Sequence, residues 1–225
     1  MDQDGTNTSN FVVRVVDDDA DARNFFCRSL ERESIETRAY ASADEFLSRD
    51  DLRSPGCLIL DVKMPGCSGI QLQEQLVETG CPLPMIFVSG HGNVQMVAHS
   101  MRLGAIDFLE KPIEPSILIA RVHEAFAIDR EWRNEHADRD RAKKRLARLT
   151  PRESEVLQYL VRGLPAKRVA AELDLSHKTV QVHRANIMAK TGIDNLADLV
   201  RLVLLASGQA EDAAAVDGEQ PAERG

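Results

Sequence analysis

From Phe11 to about Ala127 short apolar runs alternate with helix-length amphipathic stretches. FVVRVV (11–16) reads as a first strand, and Ala22, Phe26 and Leu30, four apart, mark the apolar stripe of a helix behind it. ETRAY (36–40) is a weaker strand ahead of a helix around Ala43 to Leu52. CLILD (57–61), PMIFVS (84–89) and AIDFL (105–109) are continuous apolar runs, the pattern of strands covered on both faces. Helical spacing falls between them, over about 69–78 and 93–103, with a fifth helix from near 114. Five β/α units in succession predict an α/β fold with a doubly wound parallel sheet. Ligands of such sheets bind beyond the carboxyl ends of the strands, near the point where the strand order reverses.

The pattern changes after Ile128. DREWRNEHADRDRAKKRLARL is charge-rich and holds no Gly or Pro. Asp129 with Arg133, Glu135 with Arg139, and Asp140 with Lys144 are acid-before-base pairs at i, i+4, which support a helix. Residues 128–147 therefore read as a helical linker, continuous with the fifth helix or, in the alternative, a solvated tether. Residues 148–207 read as four helices. Thr150, Pro151 and Glu153 form a capping box with proline at the first helical position, ahead of Val156, Leu157, Leu160 and Val161 on one face. A short helix follows Pro165 with Val169, Ala170 and Leu173 inward, and Ser176 caps a third that Gly192 closes. The fourth, from Asp194, is expected to bury Leu196, Leu199, Val200 and Val203. Residues 1–10 and the acidic segment 208–225 lack periodicity and are expected to be flexible.

Charge sharpens this division. The 225 residues carry 28 Lys plus Arg against 36 Asp plus Glu, a net charge of −8 that by itself argues against nucleic acid. The charges are not spread evenly: residues 1–128 hold 11 basic and 20 acidic side chains, whereas 145–208 hold 10 and 6. No apolar run approaches the roughly 18 residues of a membrane span, and MDQDGTNTSN has neither the basic start nor the apolar core of a signal peptide. A cytoplasmic protein without a membrane partner is expected. Cys27, Cys57, Cys67 and Cys81 have no CxxC spacing, and His177 and His183 fall on different helix faces, which disfavours zinc or redox chemistry.

Candidate chemistry gathers at the predicted strand ends. Asp17, Asp18 and Asp19 follow the first strand, Asp61 ends the third, Ser89 ends the fourth, and Lys111 follows the fifth. Carboxylates about 4 Å apart repel by about 4 kcal/mol at an effective dielectric near 20, so their convergence calls for a counter-ion. Hard oxygen donors suit Mg²⁺ or another divalent cation. A free carboxylate beside a hydroxyl and an ammonium is equipped to accept a phosphoryl group, with Asp61 as nucleophile and Ser89 and Lys111 binding the phosphoryl oxygens.

VVDDD (15–19), LDVKMPGCSG (60–69), FVSGHG (87–92) and DFLEKP (107–112) resemble the receiver domain of two-component response regulators over nearly all of residues 11–127. The resemblance implies a flavodoxin-like sheet of order 2-1-3-4-5, Asp61 as phosphoacceptor, and metal binding by Asp17, Asp18, Asp61 and the Lys63 carbonyl. Phe108 would be the aromatic that moves inward on activation. Asp19 is left without a role. LTPRESEVLQYLVRGLPAKRVAAELDLSHKTVQVHRANIMAKTGIDNLADLV (149–200) resembles the LuxR-type helix-turn-helix of the NarL/FixJ class, with SHKTVQVHRANIMAK and the HGN to EKP stretch pointing to its FixJ-like branch. Family members often carry Asn where Ala166 stands.

In the third helix of that domain Val180 and Ile187 share the core face, which leaves Lys178, Gln181, Val182 and Ala185 facing outward. Gln181 suits the major-groove edge of adenine, while Val182 and Ala185 suit a thymine methyl. Lys178, Arg184, Lys190, Lys167 and Arg168 are expected to meet phosphates. The expectation is a transcriptional regulator rather than an enzyme: a sensor histidine kinase phosphorylates Asp61, the receiver dimerises, and the dimer binds double-stranded promoter DNA, with RNA polymerase as a further candidate partner. Two alternatives compete. Asp17 could be the nucleophile of a haloacid-dehalogenase-like phosphohydrolase, although such enzymes need a later strand ending in an acidic pair and only helices are expected after Lys111. The helical domain could also bind protein instead of DNA.

Overall fold

The computed structural model describes residues 11–90 and 92–208. His91, the segment 1–10 and the acidic segment from 209 onward lie outside the described residues. Two compact units divide between Arg133 and Asn134.

The first unit alternates strand and helix: β1 (Val12–Val16), α1 (Ala20–Glu31), β2 (Glu36–Tyr40), α2 (Ala43–Arg49), β3 (Gly56–Asp61), α3 (Gly69–Glu78), β4 (Met85–Ser89), α4 (Val94–Arg102) and β5 (Asp107–Glu110). All strand pairs are parallel, and the order is β2-β1-β3-β4-β5. The sheet thus reverses direction between β1 and β3, where the chemistry is expected. Alternation along the strands divides the core in two. Val13, Val15, Ile59, Ile86 and Val88 pack with Phe26 and Leu30 of α1 and with Leu118, Val122 and Phe126. Val16, Leu58, Leu60 and Phe87 pack with Phe46 of α2 and with Leu72 and Leu76 of α3. Each fully buried side chain of this size contributes about 1.5–3 kcal/mol.

The central strands β1, β3 and β4 are buried throughout, as expected of apolar runs covered on both sides. β5 departs from that expectation. It begins at Asp107 and its residues are half-buried or exposed, because it is the last strand of the sheet and has a neighbour on one side only. The helix after β2 ends at Arg49 rather than Leu52, because Asp50 leaves helical geometry with its carboxylate held by Arg14 and Tyr40.

α5 (Pro115–Leu146) runs 32 residues without a break. The interval 128–147 is therefore almost wholly helical, and it contributes to both units: Asp129 is fully buried in the first, and Ala142 is 1% exposed in the core of the second. Of the three charge pairs expected along it, Arg133 Nε to Asp129 Oδ2 forms at 2.8 Å. Asp129 also accepts from the Gly56 amide, and Arg133 donates to the Arg53 carbonyl, so these bonds tie α5 to the loop ahead of β3.

The second unit adds α6 (Pro151–Leu160), α7 (Ala166–Glu172), α8 (His177–Thr191) and α9 (Leu196–Ser207). The capping box at Thr150 and Glu153 forms in both directions, with proline in the first turn. Ser176 caps α8 through the Thr179 amide, and Gly192 closes it at φ 64°. Val156, Leu160, Val169, Val180, Ile187 and Leu199 are among the core residues. In α9 Leu199 is buried as expected and Leu202 joins it, whereas Leu196, Val200 and Val203 are half-buried. The helix begins at Leu196 rather than Asp194, capped by Asn195, whose side-chain oxygen accepts from the Asp198 amide.

Candidate functional site

The parallel register delivers the candidate residues to one edge. Val16 pairs with Leu60 and Asp61 with Val88, so Asp17, Asp61 and Ser89 leave neighbouring strands at nearly one level. Lys111 arrives there because β5 continues the ladder, the Lys111 amide donating to the Ser89 carbonyl at 3.0 Å. Gly69 brings α3 against the end of β3: its amide donates to Val62 O, and a Cβ there would lie 2.1 Å from the Asp61 carbonyl oxygen. Only glycine permits that approach.

Lys111 bridges the two buried carboxylates, Nζ lying 2.6 Å from Asp17 Oδ2 and 2.8 Å from Asp61 Oδ1. Asp61 Oδ2 accepts from the Lys63 amide at 2.6 Å, and Asp17 Oδ1 from the Asp19 amide at 2.9 Å. Ser89 is 2% exposed at the same edge. Burial is the largest influence on Asp17 and raises its pKa, with Asp61 adding to the rise against the pull of Lys111 and the Asp19 amide. Burial alone would lower Lys111, but its hydrogen bonds to Asp17 and Asp61 and their charges outweigh that and raise it. Both groups are thus raised: the lysine is held charged by its two carboxylate partners, while burial favours the protonated form of Asp17.

Asp18 is exposed, and among the described residues no three Asp, Glu, His or Cys side chains are gathered as a ready metal cage. The donor chemistry nonetheless fits a hard divalent cation. Asp17 and Asp61 present oxygens to one common point at Lys111 Nζ, and the cluster they form carries an excess of negative charge. Asp19 receives a structural role, as the N-cap of α1 through the Asp21 amide. Phe108 is half-buried with its ring stacked on Phe87 at 6.0 Å. The ring also rests on Gly92, where a Cβ would lie 2.5 Å from Phe108 Cε1. Sequence reasoning passed over Gly92, because only the fold brings it to the ring.

In the second unit, α7 and α8 form the helix-turn-helix. Lys178, Gln181 and Ala185 are exposed, as is Val182 at 52%, on the face opposite Val180 and Ile187. Lys167 and Arg168 are exposed on α7, and Arg184 is half-buried. Lys190, also expected at a phosphate, is half-buried. Its ammonium lies 2.6 Å from Glu153 Oε2, and Glu153 is only 3% exposed. A carboxylate held so far from water needs a cation beside it. Hydrogen bonds from Lys190 and the Thr150 amide lower the Glu153 pKa. No described helix is long and apolar enough to cross a membrane.

Comparison with known proteins agrees with both units. Residues 13–123 match the response regulator receiver domain, and residues 147–203 match the bacterial regulatory proteins of the luxR family. The chain is 38% identical over 217 residues to the transcriptional regulatory protein TdiR of Thauera aromatica, covering 96% of this chain and 94% of the relative. It is 39% identical over 202 residues to the transcriptional regulatory protein FixJ of Azorhizobium caulinodans, covering 89% and 96%. Among solved structures, the response regulator StyR aligns with a TM-score of 0.78 at 39% identity over 86% of this chain and 98% of that one. Full-length FixJ from B. japonicum aligns with a TM-score of 0.54 at 35% identity, over 88% and 98%. The two family matches and the relatives' identity extend along nearly the whole length, and the chain belongs to the response regulators that join a receiver domain to a LuxR-type DNA-binding domain, the phosphorylation-dependent regulators of transcription.

Proposed function

We propose that Asp61 is the phosphoacceptor of this regulator and that a sensor histidine kinase is the donor. One observation carries the reading: the Asp61 carboxylate sits at the strand edge with Lys111 Nζ on one oxygen and the Lys63 amide on the other. An Asp61 oxygen attacks the phosphorus of a phosphohistidine. The P–N bond breaks, its electron pair stays on the imidazole, which takes up a proton, and an acyl phosphate forms. Lys111 and the Ser89 hydroxyl bind the phosphoryl oxygens, and Asp17, Asp18, Asp61 and the Lys63 carbonyl hold Mg²⁺. The cation, when bound, offsets the negative charge that the two carboxylates and the incoming phosphoryl group share. Phosphorylation adds about −1.5 to −2 charges at this edge, and Phe108, resting between Phe87 and Gly92, moves inward in response.

Residues 11–127 serve as the receiver, 128–147 as a helical connector and 148–207 as the DNA-binding part. Two receivers pair on phosphorylation and bring two copies of α8 to half-sites about 34 Å apart, one turn of DNA. Gln181, Val182 and Ala185 read bases, while Lys178, Arg184, Lys167 and Arg168 contact phosphates. The protein acts in the cytoplasm and catalyses no reaction beyond gain and loss of its own phosphoryl group. Incubating the protein with acetyl phosphate and Mg²⁺, with the product followed by intact mass and sedimentation, tests the assignment. The unsubstituted chain should gain one phosphoryl group and dimerise, and Asp61→Asn should do neither. An Asp61→Asn protein that still dimerised on treatment would overturn it.

A further inference from the structure

The C-terminal end of α8 is held by hydrogen bonds from side chains of two other helices, whereas its first half is held in the core by Val180. Arg145, in the last turn of α5, donates through Nε to the Thr191 carbonyl at 2.7 Å and through Nη2 to the carbonyls of Thr191 and Gly192, the latter at 3.2 Å. Lys190 is drawn to Glu153 of α6. Thr191 itself is 2% exposed, its hydroxyl donating to the Ile187 carbonyl. Ala142, three residues before Arg145, is buried in the same core as Ile187. The last carbonyls of a helix have no partner within it, and a cation there is favoured by the helix dipole. A guanidinium on two successive carbonyls also fixes direction, which a point charge does not.

We infer that Arg145 is a positioning residue for the recognition helix: it holds the end of α8 against α5, so that the exposed first half enters the DNA groove at one fixed angle. The inference rests on the DNA-binding reading of α8. Gln181 lies ten residues before Thr191, about 15 Å along a helix, so a tilt of about 10° at the fastened end moves it by about 2.5 Å. Hydrogen bonds to base edges do not survive such a displacement. Contacts to phosphate, made by flexible side chains, tolerate it.

The test uses the full chain and a duplex recovered from a random-sequence pool by the unsubstituted protein, beside a scrambled duplex of equal length. Arg145→Ala should lose about tenfold or more in affinity for the selected duplex and much less for the scrambled one. The amides from Met188 to Ile193 should exchange hydrogen faster, and Arg145→Lys, which keeps the charge but not the fork, should recover only part of the loss. Should Arg145→Ala fail to fold, the comparison of Arg145→Lys with Arg145→Gln decides, the neutral variant losing the more on the selected duplex alone. Equal losses on both duplexes would mean only that a positive charge had gone, and would overturn the inference, as would unchanged amide exchange or full recovery with lysine. If the unsubstituted protein recovers no duplex, the DNA-binding reading falls and the inference with it. If it recovers one and Arg145→Ala binds it unchanged, the inference alone falls.

Discussion

The strand β1 carries a buried charge cluster at each end, and the two behave differently. Near its start Arg14, fully buried, donates to Asp50 Oδ1 at 2.8 Å and to the carbonyls of Val12, Asp51, Ser54 and Pro55. Asp50 also accepts from the Tyr40 hydroxyl at 2.6 Å and lies 3.6 Å from Arg38. Past its end Asp17 shares Lys111 with Asp61, and the Lys111 side chain is 25% exposed. The first cluster is closed and supplied with donors on every side, whereas the second holds two acids for one base and opens to solvent. Buried charge alone therefore does not mark a functional site. An unbalanced charge within reach of a ligand does.

The largest expected effect falls on the closed end. Arg14→Met leaves Asp50 buried with one cation at a distance and takes a donor from four carbonyls, of which those of Asp51 and Pro55 keep a backbone amide, and should cost about 3–5 kcal/mol in urea unfolding. Added Mg²⁺ should not restore it. At the open end, Lys111→Met should cost less, about 1–3 kcal/mol, because part of the charge is solvated. Here millimolar Mg²⁺ should recover much of the loss, since a cation can take the place of the ammonium between the acids. If Mg²⁺ rescued both variants or neither, the distinction between the ends would collapse.

Smallest is Tyr40→Phe, which removes one hydrogen bond from Asp50 and should cost about 1 kcal/mol near neutral pH. Burial, with the Asp50 hydrogen bond, pushes the Tyr40 pKa up from 10.0 to about 12. The folded state then keeps a proton that the unfolded chain releases, so this tyrosine costs stability as the pH rises from about 10 to about 12. The difference between the two proteins should shrink over that interval, which unfolding at a series of alkaline pH values would show.

Much of this was legible before any coordinates. The apolar runs gave β1, β3 and β4 nearly to the residue, because strands in the middle of a parallel sheet must be apolar on both faces. Thr150, Pro151 and Glu153 announced α6, because capping depends on neighbours three residues away. Asp61 and Lys111 could be named because the strand-end rule and the receiver motifs meet on them. Arg14 was not singled out, although a lone charge inside FVVRVV was a signal: its partners other than Val12 lie 36 to 41 residues away. Lys190 looked like one surface lysine among several until Glu153 proved to be buried beside it.

The sequence by itself determined the order of the elements, their caps and the residue types available for phosphoryl chemistry and DNA contact, because these rest on spacings of two to four residues along the chain. Tertiary structure decided which charges meet. It set Lys111 between two acids from different strands, paired Lys190 with the buried Glu153, gave Asp19 to the start of α1, and laid Arg145 on the end of α8. Ion pairs depend on the distance between groups far apart in the chain and on how much water is left around them, and neither is written in local pattern.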